Sequence, residues 1–455
     1  MSSKTELLIQ CELLGITKCK SKNKGQLMEL IKQKTLDVLI GAPIGAPIGA
    51  PIDVPIGAHV KGLTFIDLFC GIGGFHQAML RLNGTCVFAC DIDEKCRGVY
   101  QHNYGICPSS DISKVIASDI PDFDVLCAGF PCQAFSNSGK KQGFSDVRGN
   151  LFEHILKIAS VKRPSFMFLE NVKHIKKIDN GNVYRHILKR INETGYTITE
   201  ETVFELSPHQ LGIPQQRERV IFVCIRVDLF DASKIIRITP APVPICFDSI
   251  LETETATLDK YRVSVEIESV LNAWNEMVQN VEVDEVLSPT IMCNEFHSQY
   301  SPEEFKELPV WKQDYMTKNK PIYLKYRTQW DEWYDRHKDL LSRREIYGKL
   351  EWQVGKVKPD ESIFNHFIQF RQSGIRVKRA VYFPTLVAIV QTPIYAKEKR
   401  YITPRECARL QSFPDSFVLH ASDHVAYKQL GNAVNVDVVH YVIRETLAVY
   451  RGVIL

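Results

Sequence analysis

From residue 63 onward the chain repeats one unit, an apolar run followed by a turn and an amphipathic segment. The stretch LTFIDLFCGIGGFHQAMLRLN, residues 63–83, contains all three parts. TCVFACDIDEKC, FDVLCAGFP and SFMFLENV supply further apolar runs. Such repeated units predict a doubly wound, mostly parallel α/β sheet. Because these sheets bind ligands at the carboxyl ends of their strands, the residues after each run become the candidates for chemistry.

Composition limits the classes of protein that can contain this sheet. With 455 residues, 45% of them hydrophobic, the chain can bury a core and form more than one domain. No apolar run reaches the roughly 20 residues of a membrane span, and the N-terminus lacks a secretory pattern. We therefore expect an intracellular protein, in the cytoplasm or nucleus, without a membrane partner. The 13 cysteines form no C-x-x-C pair, which favours free thiols over disulfides or a metal site.

Two segments precede the repeated units. Residues 1–40 predict two short amphipathic helices around a lysine-bearing loop. This pattern resembles SAP-type DNA-binding modules, and an accessory docking element is an equal alternative. Residues 41–60 contain GAPIGAPIGAPIDVPIGA, in which proline recurs at four-residue spacing and blocks both helix and central strand. We interpret this stretch as a semi-extended linker.

The first strand and its neighbour carry the pattern of an adenosine-type ligand site. The turn after the first strand contains Gly71, Gly73 and Gly74. Glycines let a ligand approach the backbone, and the carboxylate of Asp91, at the end of the next strand, could accept hydrogen bonds from ribose hydroxyls. The spacing is not the full G-x-G-x-x-G fingerprint. Asp111 and Ile112 add a second acid and an apolar contact suited to an adenine ring.

Six blocks follow one another along the chain: FIDLFCGIGGF (65–75), GFPCQAFS (129–136), ENV (170–172), QQRER (215–219), RYITPRECARLQSFP (400–414) and KQLGNAVNV (428–436). In this order they resemble the motifs of the DNA cytosine-5 methyltransferase family. The resemblance implies a Rossmann-like, S-adenosylmethionine-dependent methyltransferase fold of class I with a smaller inserted domain. It divides the chain into a catalytic and cofactor-binding domain (61–229), a target recognition domain (230–383) and a C-terminal part (384–455) that completes the catalytic domain.

Cytosine carbon 5 does not attack a methyl sulfonium unaided, so a nucleophile must first add at carbon 6. A thiolate is suited because it is strongly nucleophilic, partly ionised near neutral pH and able to leave again. Cys132, followed by Gln133 just after an apolar run, is the predicted nucleophile. Glu170, at the end of FMFLE, is the predicted acid for ring nitrogen 3. The resemblance implies that Asn171 helps to hold the active-site geometry.

The QQRER block is predicted to place Gln215, Arg217 and Arg219 on one face of an extended segment. Planar guanidinium groups could clamp a nucleotide or orient a carboxylate. The resemblance implies that Arg217 reaches the target cytosine and Arg219 the catalytic neighbourhood, with Gln215 and Ser136 contacting DNA. It also implies further cofactor contacts from Phe69, Ile92, Pro131, Leu151 and Asn432.

Two further segments carry weaker signals. Thr403, Pro404 and Glu406 form a capping signature that predicts a helix start, with Ala408 and Leu410 in the core. In FRQSGIRVKRA, residues 370–380, the candidates for reading base edges or holding phosphate are Arg371, Gln372, Arg376 and Lys378. Four tryptophans among basic residues 311–358 are either core or a phosphate-contacting surface.

The sequence therefore predicts a monomeric, site-specific DNA cytosine-5 methyltransferase that uses S-adenosylmethionine on double-stranded DNA. A cognate restriction endonuclease acting on the same site is a candidate partner. One alternative is a transfer-RNA cytosine-5 methyltransferase, although that branch carries a second proline where this chain has Phe130 and a Cys-Phe-Thr tripeptide where it has Cys246-Phe247-Asp248. The other is a non-catalytic DNA-binding relative, which would usually lack Cys132 or Glu170.

Overall fold

The computed structural model describes residues 22–27, 62–131, 150–253, 258–287, 290–389 and 391–450. The chain divides into two units, Met1–Val54 and Pro55–Leu455. In the first unit a helical turn at 24–27 ends in the buried side chain of Leu27. The rest of the predicted helical pair, and the linker at 41–60, lie outside the described residues.

A seven-stranded sheet forms the centre of the second unit. Its strands are β1 (Thr64–Leu68), β2 (Thr85–Cys90), β3 (Val125–Gly129), β4 (Phe166–Val172), β5 (Tyr196–Thr197), β6 (Val203–Leu206) and β7 (Arg219–Arg226). The order is β2-β1-β3-β4-β7-β5, with β6 also paired to β7. The first four strands pair in parallel, whereas β7 runs antiparallel to β4, β5 and β6. The predicted α/β class with a mostly parallel sheet is confirmed.

Helices cover both faces of this sheet. The helices of the described second unit are α1 (Gly74–Leu80), α2 (Glu94–Tyr104), α3 (Asn150–Lys162), α4 (Asn182–Glu193), α5 (Val265–Gln279), α6 (Pro302–Glu307), α7 (Val310–Lys325), α8 (Arg327–Leu341), α9 (Pro404–Leu410), α10 (Asp423–Asn432) and α11 (Val436–Val449). Side chains alternate along each strand, so Phe65 packs with α1 and α11 while Ile66 packs with α3 and α4. Among the described helices, none is long and apolar enough to cross a bilayer.

A second, six-stranded sheet follows in the chain. Its strands are β8 (Ile291–Met292), β9 (Lys349–Gln353), β10 (Phe367–Arg371), β11 (Gly374–Lys378), β12 (Ile394–Tyr395) and β13 (Arg400–Tyr401), in the order β13-β12-β10-β11-β9-β8. Because β12 pairs with β10, the sheet continues to Tyr401. The predicted domain boundary at residue 383 lies between β11 and β12 of this sheet.

The tryptophans of this region belong mostly to its core. Trp330, Trp333 and Trp352 are buried against one face of the second sheet together with Trp274. Trp311 is 51% exposed, with the Lys349 ammonium 5.5 Å from its ring centroid. The core interpretation is thus correct for three of the four, and only Trp311 lies on the surface.

A buried ion pair joins the end of the second sheet to α9. Both carboxylate oxygens of Glu406 accept hydrogen bonds from the Arg400 guanidinium at 2.8 Å, and both residues are nearly inaccessible. Thr403 and Glu406 form the predicted capping box at the start of α9. Glu252 completes the cluster by accepting a hydrogen bond from the Thr403 hydroxyl.

We expect Arg400→Met to lower the free energy of unfolding by about 3–5 kcal/mol, because it leaves the Glu406 carboxylate buried without its partner. Urea unfolding followed by circular dichroism measures this change. The control is Arg262→Met, which removes an exposed pair with Asp259 and should cost at most about 1 kcal/mol. Equal losses in the two variants would contradict the structural importance of the buried pair.

Candidate active site

The directions of the strands bring Glu170 and Arg219 to the same edge of the first sheet. The carboxyl ends of β3 and β4 lie side by side, with Gly129 paired to Glu170. Because β7 is antiparallel to β4, its first residue, Arg219, pairs with Val172 at the same edge. Antiparallel pairing thus brings a cation from one strand to a carboxylate from its neighbour.

Glu170 is held by this cation in a largely buried position. The Arg219 Nε atom lies 2.9 Å from Glu170 Oε1, and the two side chains are only 14% and 11% exposed. Burial lowers the pKa of the Arg219 guanidinium, and the Glu170 charge opposes that shift. Glu170 Oε2 lies beside Gly129, 3.8 Å from where a Cβ atom on that glycine would be. One carboxylate oxygen is therefore fixed, and the other lies next to the end of β3.

Asn171 fixes the backbone that leads to the predicted nucleophile. Its Nδ2 atom donates to the Phe130 carbonyl at 3.0 Å, and its Oδ1 atom accepts from the Val172 amide at 2.9 Å. Asn171 is 2% exposed, so water does not compete for these bonds. Phe130 precedes Cys132 by two residues. Cys132, Gln133 and Ser136 themselves lie outside the described residues.

Gln215, Arg217 and Arg219 have different partners in the structure. The strand begins only at Arg219, and the backbone amide of Arg217 donates to the Ser207 hydroxyl. The Gln215 side chain is fully buried. Arg217 is 2% exposed and donates to the carbonyls of Leu386, Gly431 and Ala433. Of the three residues, Arg219 is the one that contacts Glu170.

The glycine turn after β1 has room for a ligand. Gly71 has φ +53°, and nothing lies within 4 Å of the position that its Cβ would take. Its amide donates to Asp91 Oδ2 at 2.7 Å, while Asp91 Oδ1 accepts from the Asp93 amide at 2.8 Å. Each carboxylate oxygen has two lone pairs, so Asp91 retains acceptor capacity for ribose hydroxyls. Burial raises the pKa of Asp91, and these two backbone hydrogen bonds oppose the shift.

The other two glycines of the turn are needed for packing. A Cβ on Gly73 would lie 2.4 Å from the Tyr104 ring, and one on Gly74 would lie 2.5 Å from the Val434 carbonyl oxygen. The KQLGNAVNV block therefore packs against the glycine turn. Asn432 ends α10 with its side chain exposed, two residues before the contact that Val434 makes.

The apolar side chains that are predicted to contact the cofactor differ in their exposure to solvent. Ile92, at the end of β2, is 81% exposed, which is unusual for an isoleucine and leaves an apolar surface that a ligand could cover. Phe69, Pro131 and Leu151 are half-buried, and Ile112 is buried. Asp111 accepts hydrogen bonds from the amide and hydroxyl of Ser113. Three features together fit a nucleoside ligand. They are the open space at Gly71, the remaining acceptor capacity of the Asp91 carboxylate and the exposed apolar surface of Ile92.

One face of the second sheet is polar and meets the QQRER segment. Gln369, Arg376 and Glu351 lie directly across from one another on three strands. Arg371 and Lys378 share that face by the two-residue period of strands. The Arg376 Nε atom lies 2.7 Å from Glu351 Oε2, and Gln372 is exposed in the turn that follows β10. Lys378 donates to the Gln216 side chain at 2.6 Å.

Glu351 is the residue of this face that sequence reasoning missed. It is 7% exposed and lies between Leu350 and Trp352 in β9. The alternation of apolar and charged residues in KLEWQ places Glu351 opposite the core face. Nothing in the sequence pairs that strand with β11, so its position beside Arg376 could not be foreseen.

A protein-family model matches most of the chain. Residues 63–448 match the family model of the C-5 cytosine-specific DNA methylase. The chain belongs to this family. It is therefore a DNA cytosine-5 methyltransferase, and its methyl donor is S-adenosylmethionine.

Similar proteins cover most of this chain. Type II methyltransferase M.HhaI of Haemophilus parahaemolyticus is 31% identical over 384 residues, which are 84% of this chain and 94% of that protein. Type II methyltransferase M.HpaII of Haemophilus parainfluenzae is 33% identical over 382 residues, covering 83% and 87% respectively. The crystal structure of a prophage-encoded DNA modification methyltransferase from E. coli shares the fold, with a TM-score of 0.51 and 19% identity over 86% of this chain and 99% of that one.

We expect Asn171→Ala to reduce methyl transfer by roughly 10- to 100-fold, because the backbone before Cys132 loses its anchor and small displacements of reacting groups are costly. The affinity for S-adenosylhomocysteine should stay unchanged. Steady-state kinetics and calorimetry measure the two quantities.

Asn192→Ala is the matched control, since Asn192 also donates to backbone carbonyls but at the end of α4. A wild-type turnover number in Asn171→Ala would contradict the anchoring role.

Proposed function

We propose that the chain methylates one cytosine within a short sequence of double-stranded DNA, after flipping that cytosine out of the helix. Transfer proceeds through a covalent bond between Cys132 Sγ and cytosine carbon 6. The observation that carries this proposal is the arrangement of Glu170, held by Arg219, beside the backbone that Asn171 anchors just before Cys132. Extrusion of the base costs a few kcal/mol, which contacts in the pocket offset.

The proposed reaction begins when the Cys132 thiolate adds to carbon 6. The electron pair of the 5,6 double bond then becomes available at carbon 5, and Glu170 stabilises ring nitrogen 3 by a hydrogen bond or proton. Bound S-adenosylmethionine supplies an electrophilic methyl group for carbon 5. A base then removes the proton from carbon 5, and the electrons of that bond expel Cys132 as thiolate, which restores the double bond.

Residues around the reacting groups have supporting roles in this proposal. Arg219 keeps Glu170 in place, and Asn171 keeps the start of the Cys132 segment in place. Asp91 and Asp111 would bind hydroxyl and amino groups of the cofactor, while Ile92 and Phe69 would cover its adenine ring. The open space beside Gly71 supports this assignment.

We further propose that the polar face of the second sheet contacts the DNA. Arg371 and Arg376 offer forked donors suited to guanine O6 and N7, and the Glu351 carboxylate is suited to accept from the cytosine N4 amino group. Lys378 would hold phosphate. The Glu351–Arg376 pair supports this proposal because an arginine and a carboxylate side by side match the edge of a G·C pair.

The relatives are named as type II methyltransferases. By analogy we propose that this chain works in a restriction-modification system, as a monomer, and protects the site that a cognate endonuclease cleaves.

The decisive experiment incubates the purified protein with S-adenosylmethionine and unmethylated plasmid DNA, followed by bisulfite sequencing. We expect methylation of cytosines within one short motif. Bulk transfer RNA serves as the parallel substrate. Methylation of RNA alone would overturn the proposed DNA substrate, and methylation of DNA at unrelated sequences would overturn the proposed specificity.

Variants of the two predicted catalytic residues test the mechanism. Cys132→Ser should abolish turnover and any covalent complex with DNA that survives denaturing electrophoresis, while retaining cofactor binding. Glu170→Gln should lower the rate by about 10²- to 10⁴-fold, the range typical of general acid catalysis.

Glu205→Gln is a control for the glutamate, because Glu205 lies in β6 of the same sheet but pairs with Lys173 and Lys176. Substantial turnover in Cys132→Ser would remove the covalent step from the proposal.

A further inference from the structure

The buried guanidinium of Arg217 binds two segments of the chain that are far apart in sequence. Its Nη1 atom donates to the Leu386 carbonyl at 2.8 Å. Its Nη2 atom donates to the carbonyls of Gly431 and Ala433 at 3.1 and 2.9 Å. One side chain therefore holds the stretch that follows Phe383 and the end of α10 in a single cluster.

The Leu386 segment continues from the strand that carries the proposed DNA-contacting residues. This segment, residues 383–386, follows β11 in the chain. Hydrogen bonds connect it to residues 214–216. The Phe383 amide donates to the Pro214 carbonyl at 2.7 Å, the Gln216 amide to the Phe383 carbonyl at 3.3 Å, and the Thr385 hydroxyl to the Gln216 carbonyl at 2.5 Å. A shift of the second sheet on DNA would therefore be transmitted directly to Leu386.

On the other side, the carbonyls of Gly431 and Ala433 flank Asn432, the last residue of α10, which the resemblance places at the cofactor. This segment also touches the first one, since a Cβ on Gly431 would lie 2.5 Å from the backbone carbon of Val387. Two residues after Asn432, the Val434 carbonyl packs on Gly74 in the glycine turn. Arg217 thus lies between the Leu386 segment and residues 431–434, which form one wall of the proposed cofactor site.

This cluster differs from an apolar core because it contains the buried guanidinium of Arg217. Burial lowers the pKa of Arg217, and the nearby Arg219 cation lowers it further. No described carboxylate lies in ion-pair contact with Arg217, so three carbonyl dipoles compensate its charge at close range, and the Glu170 charge compensates it from farther away. A buried charge is costly without such partners, and the carbonyl part of this compensation depends on both segments keeping their positions.

We propose that Arg217 is a positioning residue that couples DNA binding to cofactor binding. DNA that orders the Leu386 segment also orders the Asn432 segment, and a bound cofactor acts in the reverse direction with the same coupling free energy. This inference rests on the proposed function, because it assumes that the second sheet contacts DNA.

The test measures the affinity for S-adenosylhomocysteine by calorimetry, without DNA and with a saturating duplex that carries the motif found by bisulfite sequencing. In the wild type, DNA should tighten binding by about 5-fold or more, the range typical of coupled sites. In Arg217→Met the ratio of the two affinities should fall close to one. Arg217→Lys, which keeps the charge but loses the forked geometry, should give an intermediate ratio.

Arg226→Met is the matched control, since Arg226 lies at the opposite end of β7 and also donates to a backbone carbonyl. A purely structural role predicts that Arg217→Met lowers the melting temperature while its affinity ratio stays at the wild-type value, and that result would overturn the proposal. A wild type without coupling would overturn it as well.

Thr385→Val keeps the proposal testable if the Arg217 variants do not fold. It removes only the hydroxyl bond between the Leu386 segment and Gln216, and it should reduce the affinity ratio without a large loss of stability. An unchanged ratio in Thr385→Val would count against the coupling. A wild type that methylates no DNA would reject the proposed function itself, before any variant is compared.

Discussion

The antiparallel pairing of β4 with β7 is the constraint on which the active site depends. Parallel strands all bring their carboxyl ends to one edge, so they can place Gly129 and Glu170 side by side but supply no residue from the start of a strand. Reversing the last long strand brings its first residue to that same edge. Arg219 can then hold Glu170 at 2.9 Å in a largely buried environment. A parallel β7 would place that arginine at the opposite edge of the sheet.

Closure of the proposed cofactor site depends on contacts between the two ends of the second unit. The helix α11 packs against α1 in one core layer, and Arg81 forms an ion pair with Asp437 across the same contact. Val434 can pack closely against Gly74 because Gly74 has no side chain. A turn near the start of the sheet is therefore completed only when the last helices are in place, which makes the cofactor wall sensitive to what happens at residues 431–434.

Local signals in the sequence predicted much of this structure, whereas long-range contacts did not follow from it. Apolar runs and glycine turns located the first four strands, and the capping box at Thr403 located α9, because each depends on residues close in sequence. The burial of Gln215, the carbonyl contacts of Arg217 and the position of Glu351 depend on segments more than a hundred residues away or on strand pairings that no motif encodes. For the same reason the second sheet crosses the predicted boundary at residue 383.

Arg217 and Arg219 show why a motif alone does not assign a role. Two-residue alternation places side chains on one face only within a strand, and β7 begins at Arg219. Ser207 binds the backbone before that point, so the two guanidinium groups meet different partners. Arg219 meets a carboxylate, where its charge matters most, whereas Arg217 meets carbonyls on two segments, where its forked donors matter most. A lysine could not span both segments in the second interaction, because its ammonium lacks the forked donors of a guanidinium.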